Sequence, residues 1–224
     1  MANKISALVF DAYGTLFDVH SVTETCERLF PGKGAGLSQL WRTKQLEYTW
    51  QRSLMRRYVD FNRVTEDGLR YACGALALRY SQSVLDTLME AYRHLQPFPD
   101  AVAALGALKG RAKLAILSNG TPAMLQAVIA NSGLTSTFDA VLSVDAAGIF
   151  KPAPRVYQLA ADHLGRAKEE IGFVSSNGWD AAGAKAFGFQ VFWVNRAALP
   201  IEELDVKPDA VLKSLDDLPA KLNC

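Results

Sequence analysis

The sequence has no long apolar run, no surplus of charge of one sign and few cysteines, and each shortage removes a class of function. No stretch approaches the roughly 20 apolar residues that a membrane-spanning helix needs. Met1 to Asp11 is too short and wrongly ordered for a secretory signal, so a cytoplasmic protein is expected. Lys and Arg number 24 against 23 Asp and Glu. That balance leaves no global basic field for nucleic acid or an anionic membrane, and any anionic ligand must be held locally. The three cysteines, Cys26, Cys73 and Cys224, are far apart and show neither CxxC nor His/Cys ligand spacing. They read as reduced thiols, not as disulfides or a metal site. Internal repeats and low-complexity tracts are also missing.

What is there is a chain of 224 residues, half of them apolar, enough to bury one sizeable core with an appended subdomain. Ile5 to Phe10 is a short unbroken apolar run, the pattern of a strand buried on both faces of a parallel sheet. The pattern then vanishes for about eighty residues. From Leu37 to Tyr58 the apolar positions fall mostly three, four or seven apart, which predicts an amphipathic helix. Thr65 reads as the N-cap of a second, with Val64 and Leu69 placed as a hydrophobic staple, and Val84 to Tyr92 repeats the helical spacing. After Pro97 and Pro99 strand-like runs return at Lys113–Leu117, Ala140–Val144, Ile171–Val174 and Gln190–Val194. Helical stretches near Ala101–Leu108, Pro122–Ser132, Arg155–Leu164 and Asp180–Phe187 alternate with them. Such alternation predicts an α/β fold, a Rossmann-like doubly wound parallel sheet. The expected core comprises residues 1–16 and 96–224, with a helical cap subdomain over 17–95 inserted after the first strand.

Ligands of open α/β sheets bind outside the carboxyl ends of the strands. The residues there are Asp11, Ser118 with Asn119, Lys151, and Ser175 through Asp180. Taken singly, an Asp after a strand or a Ser-Asn before Gly is more often a turn residue, and a lone Lys a solvated charge. Their recurrence at successive strand ends is what points to a site.

Asp11-Ala12-Tyr13-Gly14-Thr15-Leu16, Leu117-Ser118-Asn119-Gly120, Lys151-Pro152 and the Ser175–Asp180 stretch resemble, in order, the motifs of the haloacid dehalogenase superfamily. Within it, the run through Phe17-Asp18-Val19, Trp41-Arg42 with Lys44-Gln45-Leu46-Glu47-Tyr48, and Ser176-Asn177-Gly178-Trp179-Asp180 look like the signatures of the L-2-haloacid dehalogenase group. The resemblance implies a (S)-2-haloacid dehalogenase of the HAD fold, converting its substrate to an (R)-2-hydroxyacid and halide through an aspartyl ester on Asp11. It implies Lys151 as the cation beside Asp11; Thr15, Ser175 and Asn177 as carboxylate-orienting groups; Asp180 as the group that positions or deprotonates water; and Tyr157 as a further site member. Ser118, with the amides of Asn119, Ala12 and Tyr13, is expected to hold the substrate carboxylate. Arg42 is expected to receive halide with Asn119, and Tyr13, Leu46, Phe61 and Trp179 to wall the alkyl side. On the residues alone, Arg42 also reads as a surface cation beside Lys44, and Phe61 as ordinary core.

Phosphoryl transfer at such a site needs Mg²⁺, a hard cation that takes oxygen ligands, usually carboxylates. Tyr13 stands where the phosphatase pattern has a second Asp, and Ser176-Asn177 where it has Gly-Asp. The expectation is therefore no metal and no cofactor, with an Mg²⁺-dependent phosphatase of a small phosphate ester as the alternative. A catalytically silent protein of the same fold is a further one. The expected partners are a small 2-haloalkanoic acid and its halide, with neither nucleic acid nor membrane. A homodimer is implied by family habit, with Trp41, Tyr48, Trp50, Leu54 and Met55 as its interface.

Overall fold

In a computed structural model that describes residues 5–222, the strand-like runs pair into one six-stranded parallel sheet. Met1 to Lys4 of the expected core, and Cys224, lie outside the described residues. The strands are β1 (Ala7–Phe10), β2 (Lys113–Ser118), β3 (Ala140–Ser143), β4 (Ile171–Ser175), β5 (Gln190–Val194) and β6 (Ala210–Leu212). Their order is β3-β2-β1-β4-β5-β6. Every residue of β1 is buried, which is why that segment is an unbroken apolar run. The chain winds outward from β1 to β3, then returns to β4 on the other side of β1. The reversal leaves a crevice beyond the carboxyl ends of β1 and β4, where sheets of this kind bind ligands.

Four helices, α1 (Thr23–Leu29), α2 (Gly34–Leu54), α3 (Phe61–Ala75) and α4 (Gln82–Arg93), lie between β1 and the rest of the sheet in sequence. The sheet is covered by α5 (Pro99–Leu108), α6 (Pro122–Asn131), α7 (Pro154–Leu164) and α8 (Gly178–Phe187), with a terminal turn α9 (Leu218–Lys221). Proline opens α5, α6 and α7, where its missing N–H would have had no intrahelical partner. The chain leaves and rejoins the sheet along a paired path: Asp18 N–H donates to Gln96 O at 2.8 Å and Phe98 N–H to Leu16 O at 2.9 Å.

Several local expectations are corrected. Thr65 is not an N-cap: α3 starts a turn earlier, where the Asp60 side chain accepts the Arg63 N–H at 2.8 Å. The Thr65 hydroxyl turns back onto Phe61 O at 2.6 Å, inside the helix, so Val64 and Leu69 are helical core residues and form no staple. The helix expected to reach Tyr58 stops at Leu54, because Arg56 takes a left-handed backbone (φ 56°) that an α-helix cannot accommodate. Trp41, offered as an interface residue, is 1% exposed, with its ring tilted against that of Tyr92 at 5.3 Å and its indole N–H on Thr65 O at 2.7 Å. It is interior and cannot meet a second copy. Neither α1 nor β6 was anticipated; β6 is a three-residue edge strand with one buried side chain. Among the described residues no helix is long and apolar enough to cross a membrane.

Candidate active site

Asp11 follows β1 directly and is 5% exposed. Its two oxygens are held differently. Oδ2 accepts from the Thr15 hydroxyl at 2.9 Å and from Asn177 Nδ2 at 2.8 Å. Oδ1 accepts from Lys151 Nζ at 3.1 Å. The same ammonium donates to Asp180 Oδ2 at 2.9 Å. Lys151 is 1% exposed, so the two carboxylates are joined through a buried cation.

Each neighbour is placed by an element. Ser175 closes β4, and its hydroxyl donates to Asp180 Oδ2 at 3.1 Å. Asn177 is the residue before α8, and its amide also donates to Tyr13 O at 3.0 Å. Asp180 sits in the first turn of α8, where the helix's free N–H groups favour an anion. Tyr157, on α7, donates its hydroxyl to Asp180 Oδ1 at 2.7 Å. The Ser176 N–H donates to Thr15 Oγ1 at 2.8 Å, which aims the Thr15 hydrogen at Asp11. Gly14 has φ +91°, a conformation open to glycine, and it lets the chain double back so that Thr15 reaches Asp11.

Burial is the largest influence on Asp180, Lys151 and Tyr157. It pushes the Asp180 carboxyl up to about 6, against the pull of Lys151 and with the help of the nearby Asp11 charge. For Lys151 burial acts downward but is outweighed by the two carboxylates, so the ammonium is held above its ordinary value. Burial, with the Asp180 charge behind it, raises Tyr157 well above the usual phenol range, so it stays a donor.

The helical insertion closes the crevice from above. Arg42, from α2, donates through Nη2 to Tyr13 O at 3.2 Å and to Asn177 Oδ1 at 3.5 Å. It is therefore aimed at the site and is not a free surface cation. Leu46, a turn further along α2, shares a cavity of about 340 Å³ with Gly14, Arg42 and Asn177. Phe61 is 1% exposed, with its ring 5.6 Å from that of Tyr13. Tyr13 in turn stacks on Tyr92 at 5.6 Å, and its buried hydroxyl has no hydrogen-bond partner. Gly120 makes this approach feasible, since a Cβ there would lie 2.6 Å from the Tyr13 ring.

Ala12 is fully buried, and its carbonyl accepts from Leu16 N–H at 2.9 Å, closing the loop that carries Asp11. Ser118 Oγ accepts the Gly120 N–H at 3.1 Å, leaving its own hydrogen to donate. Asn119 Oδ1 accepts the Lys151 N–H at 3.1 Å, which leaves its amide N–H₂ as a donor. Trp179 is half-buried and meets Trp50 of α2 edge-on at 5.5 Å.

Two supports were not foreseen. Gln45 is fully buried; its Oε1 accepts from Arg42 at 2.8 Å and from the Tyr92 hydroxyl at 2.9 Å, and its Nε2 donates to Thr65 at 2.7 Å. Its position inside an amphipathic helix, on the apolar side, was the available signal. The second is Arg196, two residues past β5, which grips Thr15 O at 3.1 Å and Ser176 Oγ at 2.8 Å.

A family model for haloacid dehalogenase-like hydrolases matches residues 5–188. The chain belongs to this family. Among hydrolases of the family, it is 50% identical to the (S)-2-haloacid dehalogenase of Pseudomonas sp. (strain YL), over 94% of this chain and 91% of that one. It is 54% identical to the (S)-2-haloacid dehalogenase of Xanthobacter autotrophicus, over 86% of this chain and 76% of that one. The solved L-2-haloacid dehalogenase from X. autotrophicus with chloropropionic acid covalently bound superposes with a TM-score of 0.92 at 46% identity, covering 98% of each chain.

Proposed function

We propose that this haloacid dehalogenase-like hydrolase is an (S)-2-haloacid dehalogenase that works through a covalent ester on Asp11, without a metal. The observation that carries the mechanism is the asymmetry of the Asp11 carboxylate. Hydrogen bonds from Thr15 and Asn177 fill both lone-pair positions of Oδ2, whereas Oδ1 accepts from Lys151 and keeps one lone pair for attack. Oδ1 forms a bond to the substrate α-carbon as the carbon–halogen bond breaks, with inversion, and the halide leaves toward Arg42 and the Asn119 amide. Ser118, with the Asn119, Ala12 and Tyr13 amides, holds the substrate carboxylate so that this carbon faces Oδ1. Tyr13, Leu46, Phe61 and Trp179 wall the alkyl group.

The ester carbonyl oxygen is then Oδ2, already seated between the Thr15 hydroxyl and the Asn177 amide. Water attacks Cγ, and Asp180, with its carboxyl raised to about 6, takes the proton. The oxyanion forms on Oδ2, where those two donors stabilise it. The Cγ–Oδ1 bond breaks, the proton passes to the departing alkoxide, and an (R)-2-hydroxyacid leaves. Lys151 places its ammonium against both carboxylates, offsetting the cost of burying them, and Ser175 and Tyr157 fix Asp180.

The donors present do not suit Mg²⁺. An ammonium stands between Asp11 and Asp180, and the Asn177 amide presents N–H, not oxygen, to Asp11. The phosphatase alternative lacks its carboxylates for this reason. Residues 17–95 are taken as the cap and 1–16 with 96–224 as the core, supported by the paired strands of chain at Asp18–Gln96 and Leu16–Phe98. Cytoplasmic placement belongs to the same reading, supported by the free, buried thiols Cys26 and Cys73. So does a homodimer, for which Leu54 and Met55, 86% and 58% exposed, are the supporting surface.

Halide release from paired L- and D-2-chloropropionate, with and without EDTA, tests the whole. Turnover of L alone, indifferent to EDTA, is expected. Loss in EDTA with recovery on Mg²⁺, or equal turnover of D, overturns it. No turnover of either leaves the silent-protein alternative standing. In ¹⁸O-water a single turnover is expected to label the Asp11 carboxylate, and label confined to the product excludes the ester.

A further inference from the structure

We propose that Arg196 is a positioning residue for the nucleophile, acting through Thr15 and Ser176 as a clamp between the Asp11 loop and the Ser175–Asn177 loop. This rests on the dehalogenase reading above and concerns a residue outside the motifs that carry it.

The hydrogen bond that orients Thr15 runs between two separate loops. Ser176 N–H donates to Thr15 Oγ1 at 2.8 Å, and with that lone pair filled the Thr15 hydrogen points to Asp11 Oδ2 at 2.9 Å. Neither loop is tied to the other by sheet hydrogen bonds at this point. Arg196 holds both ends: Nη2 donates to Thr15 O at 3.1 Å and Nη1 to Ser176 Oγ at 2.8 Å. A planar, forked guanidinium can fix two acceptors at once in a way an ammonium cannot.

The clamp is itself anchored. Arg196 Nη2 and Nε donate to the two oxygens of Asp100 at 2.9 and 3.1 Å. Asp100 also accepts from the Ser214 hydroxyl at 3.0 Å and the Leu215 N–H at 2.9 Å. On its flat face the guanidinium lies 4.1 Å from the centre of the Phe98 ring. With four donated bonds and one stacked face, the group has little freedom left, so a displacement of either loop is resisted. Arg196 lines the same 340 Å³ cavity as Arg42 and Asn177, and its side chain is 22% exposed. It lies at the mouth of the site, one layer back from the reacting atoms.

Thr15 serves both half-reactions, orienting the carboxylate in the first and the oxyanion in the second. A clamp that sets Thr15 therefore acts on rates and not on capture of substrate. A misplacement of the order of 1 Å can cost about 10²-fold, so Arg196→Met is expected to lower kcat about 10- to 100-fold with KM within about threefold. Ser176→Ala, which removes one arm and leaves the ion pair, is expected to lose about three- to tenfold in kcat. Arg196→Lys, keeping the charge without the fork, is expected to recover little.

The experiment is steady-state halide release and rapid-quench single turnover with L-2-chloropropionate, on wild type and the three variants, with the folded fraction measured by near-UV circular dichroism. Parallel falls in ester formation and ester hydrolysis, at full folded fraction, support the clamp. A raised KM with unchanged kcat assigns Arg196 to substrate capture and overturns it. Loss of rate in proportion to loss of folded protein makes the role structural and also overturns it. If Arg196→Met does not fold, Ser176→Ala decides, since wild-type kcat in that variant sinks the proposal. Wild-type protein that releases no halide defeats the dehalogenase reading instead, which separates the two failures.

Discussion

At the carboxyl edge of the sheet, Asp11, Thr15, Lys151, Tyr157, Ser175, Asn177 and Asp180 share one connected set of hydrogen bonds. The helical insertion brings something different: one cation, Arg42, on a long side chain, steadied by Gln45 and surrounded by rings. The first region must hold buried charges against the cost of burial, and it does so by giving each carboxylate several donors. In the proposed reaction the second stabilises the leaving group and helps to shape a wall. Bond-making in that reaction belongs to the sheet edge and stabilisation of the halide to the insertion, the two meeting where Arg42 donates to Tyr13 O and Asn177 Oδ1.

The sharpest break of the sheet-edge region is Asp11→Asn, expected to lower halide release at least about 10⁴-fold, as loss of a covalent nucleophile does. Asp180→Asn sharpens the comparison by splitting the two half-reactions. Ester formation is expected to continue while its hydrolysis falls about 10²- to 10⁴-fold, the usual cost of losing a general base. Intact-mass measurement should then show protein carrying one propionate ester, and unmodified protein would remove Asp180 from the second step. The sign of the pH dependence follows from the same residue. Its carboxyl is raised to about 6, so the base is lost by protonation below that value. The kcat of wild type should fall on the acid side near pH 6, and the kcat profile of an Asp180-independent mechanism would show no such limb.

The sheet-edge region was the legible one. Motifs follow β1, β2, β3 and β4, and a sheet of this winding must bring those strand ends together, so the meeting of Asp11, Lys151 and Asp180 is legible in the sequence. Which oxygen of Asp11 keeps an open lone pair is not legible there, because it depends on the Gly14 turn and on Asn177 presenting N–H inward. The insertion was less legible. Three of its helices, α2, α3 and α4, follow from apolar spacing, but α1 does not, nor do the helix limits: Asp60 caps α3, displacing Thr65 into the interior. Trp41 looked like interface because aromatic spacing marks the apolar face without saying what covers it. Arg196 and Asp100 belong to no motif, and only the closure of β5 against the α5 N-terminus reveals them.

Within the insertion, Arg42→Met is expected to cost about 10²- to 10³-fold in kcat, the range for removing one donor to a developing negative charge. The loss should be larger for chloride than for bromide, since the poorer leaving group depends more on the cation. Equal losses for both halogens would place Arg42 in positioning, away from the halide.

Gln45→Leu should show a smaller effect than Arg42→Met and a more specific one. It keeps the α2 helix and roughly the volume, but it leaves the Tyr92 hydroxyl without its acceptor, the Thr65 hydroxyl without its donor and Arg42 Nη1 free to swing. A buried polar group left unsatisfied costs about 1–3 kcal/mol, so Tm should fall by several degrees, at roughly 2–4 °C per kcal/mol for a chain of this size. The catalytic loss should be about tenfold, through Arg42 alone, because nothing in the Asp11–Lys151–Asp180 set touches Gln45. The double variant with Arg42→Met decides the route: if Gln45 acts by steadying the guanidinium, its tenfold effect disappears once that group is gone. Additive losses would mean that Gln45 reaches the sheet-edge region by another path, and the separation between the two regions would not hold.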